Sequence, residues 1–252
     1  MDVHDDDEPI GTLLGRRQAL TLLGAAGAAL TLAGATSAAP GEVTPELDCV
    51  ARPDQTEGPY FVDEKLNRSD IRSDPSTGAL SPGIPLTLSF TVLQIQSATC
   101  RPLPGAVVDL WQCDALGLYS DIPSEGSSGR KFLRGHQVSD STGLARFVTI
   151  LPGWYRGRTI HHHFKIRTTG ANGGAYEFTS QLYLEEAFKA AYLKQPPYNT
   201  KGTPDTTNAR DGIYAQGGSQ LLLKPTGSTS AGYAANFAIG LDLSDTGVGA
   251  PD

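Results

Sequence analysis

Short segments in which apolar and polar residues alternate recur along this chain, and turn residues separate them. The clearest is 86–92, where every second side chain is apolar, as in a strand with one buried face. The 29 Gly and 17 Pro residues favour a loop-rich β protein over a helical one. The other predicted strands are 106–113, 135–139, 144–150, 160–167, 178–183, 220–224 and 236–243. These eight short strands predict an all-β fold, a β-sandwich.

Two further segments complete the predicted organisation of the chain. Residues 185–193 favour a short helix, which Pro196 and Pro197 would end. Residues 40–84 are rich in Pro, Asp, Ser and Gly, so we expect an irregular N-terminal arm there. The sandwich, with the catalytic site, would then occupy residues 85–252.

Residues 1–39 have the three parts of an export signal. Arg16 and Arg17 precede an apolar run at 19–33, and the small residues at 35–39 suit a signal peptidase. The paired arginines indicate the twin-arginine route. The alternative, an uncleaved membrane anchor, is disfavoured because the apolar run is short and rich in Ala and Gly. We therefore expect an exported protein, periplasmic or extracellular, with no stable membrane insertion after processing.

Charge and cysteine content restrict the partners and the compartment. A formal net charge of −7 attracts neither nucleic acid nor an anionic membrane. An exported protein can form disulfides, and the three cysteines leave one thiol over. We favour a Cys49–Cys100 disulfide, which would tie the arm to a strand end, with Cys113 as a small buried side chain. The sequence alone leaves this pairing open.

Three adjacent histidines occupy the predicted strand 160–167. Alternation puts His161 and His163 on one face of the strand and His162 on the other. Two imidazoles on one face can bind a single metal ion, and Tyr155 precedes them across a Gly-containing turn. A surface strand with incidental metal affinity is the alternative explanation of the same three histidines.

Three segments of the chain together resemble the intradiol ring-cleavage dioxygenases, a family that holds non-haem Fe(III) with two Tyr and two His. They are 57–60 (EGPY), 108–120 (VDLW through GLYS) and 152–163 (PGWYRGRTIHHH). The third is the most specific, because it contains a Tyr, an Arg three residues before the first His, and His-x-His. The short spacing between Tyr155 and His161 resembles a secreted branch of the family.

The resemblance implies roles for individual residues. It implies four iron ligands: Tyr119, Tyr155, His161 and His163. Arg158 matches the active-site Arg, Gln181 matches a Gln beside the metal ligands, and Tyr155 would be the ligand that leaves iron when substrate binds. Pro59, Tyr60 and Arg158 fall where the family lines its substrate pocket.

The activity that the resemblance implies is cleavage of a catechol-type ring. A small aromatic diol and O₂ would react between the two hydroxylated carbons to give a cis,cis-muconate. Fe(III) suits the ligand set because a hard, highly charged ion prefers anionic oxygen and also accepts imidazole nitrogen. The permanent cation of Arg158 would stabilise negative charge that develops on the ring. The preferred catechol and the oligomeric state stay open at this stage.

Several other positions depart from the family pattern or are expected to have no part in the site. His162 stands where the family has an aliphatic residue, so we expect it to face the sandwich interior. Gln112 replaces a His of many relatives, and His136 is expected to be structural. We predict solvated charges at three basic positions: Lys131, Arg134 and Lys165.

Two other functions are compatible with parts of the sequence. One is a non-catalytic secreted sandwich, for adhesion or carbohydrate binding, with incidental metal binding. The other is a zinc hydrolase built on His161, His163 and a carboxylate from Asp109 or Asp114. Zinc is disfavoured because its sites seldom use Tyr, and because the sequence has no HExxH motif.

Overall fold

Two β-sheets and one short α-helix make up the described part of the protein. The structure, a computed structural model, describes residues 50–97, 99–245 and 247. The strands are β1 Pro85–Gln96, β2 Thr99–Pro102, β3 Val107–Trp111, β4 Arg134–Val138, β5 Leu144–Ile150, β6 His161–Thr169, β7 Ala175–Tyr183, β8 Thr226–Ser228 and β9 Gly232–Leu241. The helix α1 is Glu186–Tyr192. Within the described residues, no helix is long and apolar enough to span a membrane.

The two sheets have different topologies. The first has the order β2-β1-β9-β8, and β5 also pairs with β1. Its central pair, β1 and β9, is parallel, while β5 runs antiparallel to β1. The second sheet has the order β4-β3-β6-β7 and is antiparallel throughout. The histidine strand β6 therefore lies inside a sheet, between β3 and β7.

The core lies between the sheets and follows from strand alternation. Leu86, Leu88 and Phe90 point inward from β1 and are fully buried. The Phe164 ring of β6 packs against them, with its centroid 5.3 Å from that of Phe90 and 5.6 Å from that of Phe237. Burying each such side chain contributes about 1.5–3 kcal/mol to folding.

The predicted β-sandwich is confirmed, with corrections at the level of single elements. Seven predicted strands and the helix are present with slightly different ends. The strand expected at 220–224 is wrong, because the chain forms a 3-10 turn at Gly218–Gln220 and Leu222 makes one isolated bridge to Tyr183. The short strands β2 and β8 were not predicted, since three or four residues carry too little periodicity to detect.

The irregular arm packs across the sheets by backbone pairing. Isolated bridges join Asn67 to His136 and Asp70 to Val148. Ile71 lies between these elements and is fully buried, so the arm belongs to the folded body. The arm therefore runs along the free edges of β4 and β5.

Some expectations concern the N-terminal region beyond the described residues. The predicted signal peptide 1–39 and the start of the arm lie outside them, and the domain division stays a prediction. Cys100 is disulfide-bonded and Cys113 is a buried free thiol. Since Cys49 lies outside the described residues, the Cys49–Cys100 pairing also stays a prediction.

Candidate metal centre

The two histidines of β6 that share a face lie on the outer side of the second sheet and are buried. In the sheet register, His163 is opposite Trp111 on one side and Gln181 on the other. His161 Nδ1 lies 2.6 Å from the carbonyl oxygen of Thr159. A carbonyl only accepts, so Nδ1 carries the proton and Nε2 keeps its lone pair. That Nε2 is 2.9 Å from Nε2 of His163.

Two loops bring two phenols to the same point. Tyr119 follows β3 and Tyr155 precedes β6 in the chain. The Tyr155 hydroxyl is 3.2 Å, and the Tyr119 hydroxyl 3.5 Å, from Nε2 of His161. Tyr119 is fully buried, whereas Tyr155 is half-buried. The structure therefore brings all four residues named as ligands in the sequence together around one imidazole nitrogen.

The loop that carries Tyr119 and the loop that carries Tyr155, here called the two tyrosine loops, are in direct contact. The N–H of Gly153 donates to the carbonyl of Asp114 at 2.9 Å. Lys201 Nζ donates to the carbonyl of Leu116 at 2.5 Å and to that of Trp154 at 2.6 Å. The backbones of the two loops are thus joined by one direct hydrogen bond and by a bridge through the Lys201 side chain.

Arg158 and Gln181 lie beside the histidines in one hydrogen-bonded group. Arg158 Nη2 donates to Gln181 Oε1 at 2.6 Å, and Gln181 Nε2 donates to the carbonyl of Thr56 at 3.1 Å. Arg158 Nε donates to Asp211 Oδ2 at 2.9 Å. Burial opposes the charge of Arg158, but Tyr155 and Asp211 outweigh it and raise the pKa of the guanidinium. Arg158 is therefore a permanent buried cation.

The substrate-pocket candidates Pro59 and Tyr60 lie on the arm. The Tyr60 ring stacks on Tyr119 with centroids 4.4 Å apart and meets Tyr155 edge-on at 5.8 Å. Tyr60 is buried, while Pro59 is exposed. Tyr60 thus covers the ring of Tyr119 and contacts the ring of Tyr155 at its edge.

Two basic residues near the centre differ from expectation. Arg134, 2% exposed, donates from Nη1 to the carbonyl of Tyr60 at 2.6 Å and from Nη2 to that of Ser120 at 2.6 Å. Lys165, 3% exposed, pairs with Glu57 at 2.5 Å. The prediction of solvated charges at both positions is wrong, because the arm covers the outer face of the sheet. Strand alternation places Lys165 on the same face as His161, and this was the sequence signal that could have indicated its burial.

Burial shifts the pKa of three of the four side chains, Tyr119, His161 and His163. It raises the pKa of Tyr119 well above 10, and the neighbouring Tyr155 adds to this effect. It also lowers the pKa of His161 and of His163 well below 6.5. Both imidazoles are therefore neutral, the form that binds metals, while the phenols need a nearby cation to ionise. This donor set fits a hard, highly charged metal ion such as Fe(III).

The carboxylates required for a zinc site have other partners. Asp109 accepts two hydrogen bonds from Arg167, both at 2.9 Å. Asp114 Oδ1 accepts from the N–H of Leu116 at 2.8 Å and of Leu118 at 2.9 Å. Over the described ranges, no group of three His, Cys, Asp or Glu side chains is arranged to hold a metal. The geometry thus gives the zinc hydrolase no support.

The positions that depart from the family pattern have structural surroundings. His162 is fully buried between the sheets, as alternation predicted, and burial lowers its pKa to about 3. Gln112, on the same inner face, donates to the carbonyl of Ile150 at 3.0 Å and accepts from the Thr149 hydroxyl at 2.8 Å. His136 binds the arm through its backbone, where its N–H donates to Leu66 at 2.8 Å.

The fold and the cluster define a β-sandwich protein with two phenols and two imidazoles gathered on an outer sheet face. A family model described as a dioxygenase matches residues 56–187, which is just over half of the chain. The chain belongs to the intradiol ring-cleavage dioxygenase family.

Individual relatives show how far the similarity extends. The catechol 1,2-dioxygenase of Acinetobacter baylyi is 33% identical over 110 residues, which cover 42% of this chain and 32% of that protein. The match thus spans about a third of that relative's length.

Two solved structures share the fold over most of the chain. The intradiol ring-cleavage dioxygenase from Tetranychus urticae has a TM-score of 0.67 and 28% identity, covering 77% of this chain and 96% of that one. The dioxygenase domain of a carbohydrate-binding fusion protein from Streptomyces sp. SirexAA-E has a TM-score of 0.53 and 28% identity, covering 77% and 99%.

Proposed function

We propose that this protein is a non-haem Fe(III) dioxygenase that cleaves catechol-type rings between the two hydroxylated carbons to give cis,cis-muconate-type products. The observation that carries the proposal is the convergence of two phenols and a second imidazole within 3.5 Å of His161 Nε2. Ferric iron would be held by four side chains: Tyr119, Tyr155, His161 and His163. When bound, it would chelate the diol and make the ring reactive towards O₂ without an external reductant.

The two tyrosines would have different roles because their surroundings differ. Tyr119 is fully buried under Tyr60, and its backbone N–H donates to Glu125 at 2.9 Å, so it stays in place. Tyr155 is half-buried and can swing outward. Tyr155 would therefore be the phenol that takes up a proton from the incoming diol.

Arg158 and Gln181 would act on the bound diol. The buried cation of Arg158 favours the ionised diol and the negative charge that develops during ring cleavage. Gln181 holds the guanidinium from the other side through its Oε1 atom. Pro59 and Tyr60 would line the pocket over the open side of the site.

We also propose that the protein is exported. The support is the paired arginines, the apolar run and the small-residue segment at 35–39, together with a disulfide at Cys100, since disulfides are typical of oxidising compartments. Mass spectrometry of protein recovered from the periplasm or medium tests this, because the mature chain should begin near residue 40. A full-length cytoplasmic product would contradict it.

Metal analysis combined with oxygen uptake tests the catalytic proposal. Iron-loaded protein should be red-brown from ferric tyrosinate, and it should consume O₂ with at least one of catechol, protocatechuate and hydroxyquinol while forming the ring-opened acid. A colourless, inactive protein with loosely bound metal would favour a non-catalytic binding sandwich instead.

A further inference from the structure

A buried acidic residue beyond the family match contacts the active-site arginine. Asp211 follows the short 3-10 turn Asn208–Arg210, in the segment after α1, whereas the family model ends at residue 187. It is 2% exposed, and its partner Arg158 is 6% exposed. Nothing in the local sequence around Asp211 indicated a role in the site.

The Asp211 carboxylate accepts hydrogen bonds from one side chain and from two backbone N–H groups. Oδ2 accepts from Arg158 Nε at 2.9 Å and from the backbone N–H of Thr159 at 2.8 Å. Oδ1 accepts from the backbone N–H of Tyr214 at 2.8 Å. An ionised carboxylate satisfies all three donors, which a neutral isostere cannot do.

The contact determines the direction of the guanidinium. A guanidinium is planar, so a bond to Nε and a bond to Nη2 together define its plane. Asp211 holds Nε, and Gln181 Oε1 holds Nη2 at 2.6 Å. With both bonds in place, Arg158 cannot rotate away from the histidine pair.

The same carboxylate supports one of the histidines through Thr159. The Thr159 N–H donates to Asp211, and the Thr159 carbonyl lies 2.6 Å from His161 Nδ1. The Thr159 hydroxyl accepts from Lys189 Nζ of α1 at 2.7 Å and lies 2.6 Å from Asn208 Oδ1. The segment after α1 therefore buttresses the backbone that carries both Arg158 and His161.

We propose that Asp211 is a positioning residue for the ring-cleavage reaction, acting through Arg158. This inference rests on the proposed function, because it needs Arg158 to stabilise charge on the substrate. Asp211 touches no reacting atom itself. Its loss should leave iron and substrate bound and should slow the chemical step.

The decisive variant is Asp211→Asn, which preserves shape and removes charge. Asn has one acceptor oxygen, so it either gives up the bond from Arg158 or sets its NH₂ against the N–H of Tyr214, and in both cases Arg158 loses its charged partner. Loss of that charged partner predicts a kcat lower by about tenfold with KM changed by less than about twofold. The ferric tyrosinate band should remain. Asp140→Asn, which alters an exposed turn carboxylate, is the matched control and should retain the wild-type kcat.

A double-variant cycle separates positioning from general damage. In an Arg158→Lys background, Asp211→Asn should have little further effect on kcat, since its target is already altered. Equal fold-losses in both backgrounds would overturn the proposal, and so would a wild-type kcat in Asp211→Asn. If Asp211→Asn fails to fold, Asp211→Glu, which keeps the charge but displaces it, should lower kcat at constant KM. A wild-type kcat in that variant would overturn the proposal too.

A crystal structure of Asp211→Asn makes the two proposals distinguishable. If the wild-type protein consumes no O₂ with any catechol, the proposed function fails. A rotated Arg158 guanidinium in the variant would still support positioning by Asp211. An unmoved guanidinium with its Nε bond intact would overturn it.

Discussion

At the scale of single residues, burial distinguishes two tyrosines that the sequence treats alike. Tyr119 has no exposed surface and is stacked under Tyr60, whereas Tyr155 is half-buried. A metal ion is the cation that would ionise both phenols at neutral pH, given the burial of Tyr119. The two side chains should consequently respond differently to removal of the hydroxyl.

Tyr119→Phe should bind iron poorly, because the buried site loses a fixed anionic ligand. Tyr155→Phe should retain iron with a weaker and shifted visible band, since Tyr155 is only half-buried and the other three side chains would still hold the ion. Iron content per chain and the visible spectrum measure both effects. Tyr176→Phe, at a buried tyrosine of β7, is the control. An unchanged band in both ligand variants would count against the assigned centre.

Arg134 is a buried charged residue with a structural role. Burial lowers the pKa of Arg134 to about 10, and the side chain donates to backbone carbonyls of Tyr60 and Ser120. It therefore joins the arm to the loop that carries Tyr119.

Arg134→Met should lower the free energy of unfolding by about 3 kcal/mol, since it leaves buried carbonyls without donors. It should also loosen Tyr60 from Tyr119. Urea unfolding of the metal-free protein measures the change. Arg130→Met, at an exposed arginine four residues earlier in the loop before β4, should shift stability by less than about 0.5 kcal/mol. Equal stability of the two variants would contradict the role of Arg134.

At the scale of elements, the site depends on two loops that approach each other at Gly117. Its φ is +84°, and a Cβ added to it would lie 2.1 Å from the carbonyl oxygen of Trp154. A backbone atom cannot move away as a side chain can, so the two tyrosine loops would have to separate.

Gly117→Ala should therefore destabilise the protein by about 2–4 kcal/mol, from positive φ and steric overlap together, and should weaken iron binding. Gly129→Ala is a matched control, because its φ is +77° and a Cβ added there would meet no atom within 4 Å. It should cost about 1 kcal/mol and leave iron binding unchanged. Thermal unfolding and iron content decide between these outcomes; similar losses in both variants would argue against loop separation.

At the scale of the whole molecule, a bound metal would connect segments of the chain that are otherwise held together only by the packing of the sandwich. The four donors come from the loop after β3, the loop before β6 and β6 itself. A ligand that binds only the folded state stabilises it by an amount that grows with the logarithm of the ratio of free ligand to Kd, about 2.7 kcal/mol at a hundredfold excess over Kd.

Chelation of iron should therefore lower Tm by about 5–10 °C, and added Fe(III) should restore it. Differential scanning calorimetry of loaded, stripped and reloaded protein measures this shift. Tyr119→Phe should show little difference between the three states. The same Tm for loaded and stripped wild-type protein would show that metal binding is not coupled to folding.

The sandwich and the shared face of the two histidines could be predicted from local sequence patterns. Alternation has a period of two, so 86–92 and 160–167 each revealed a strand and assigned His161 and His163 to one face. Tyr119 and Tyr155 came from resemblance in short motifs, since neither has a local signal of its own. The very short strands β2 and β8 were below the length at which a period can be recognised.

Tertiary structure alone decided which charges are buried and which residues orient the site. Arg134 and Lys165 look like surface residues in sequence, but the arm covers their face. Arg158 and Asp211 are 53 positions apart, and the Asp211 carboxylate reaches the guanidinium only because the segment after α1 folds back onto the residues that precede β6. Local patterns encode periodicity and residue chemistry, whereas contacts between distant segments depend on how the whole chain packs. The candidate metal ligands could therefore be named from the sequence, but the residues that hold them in place could not.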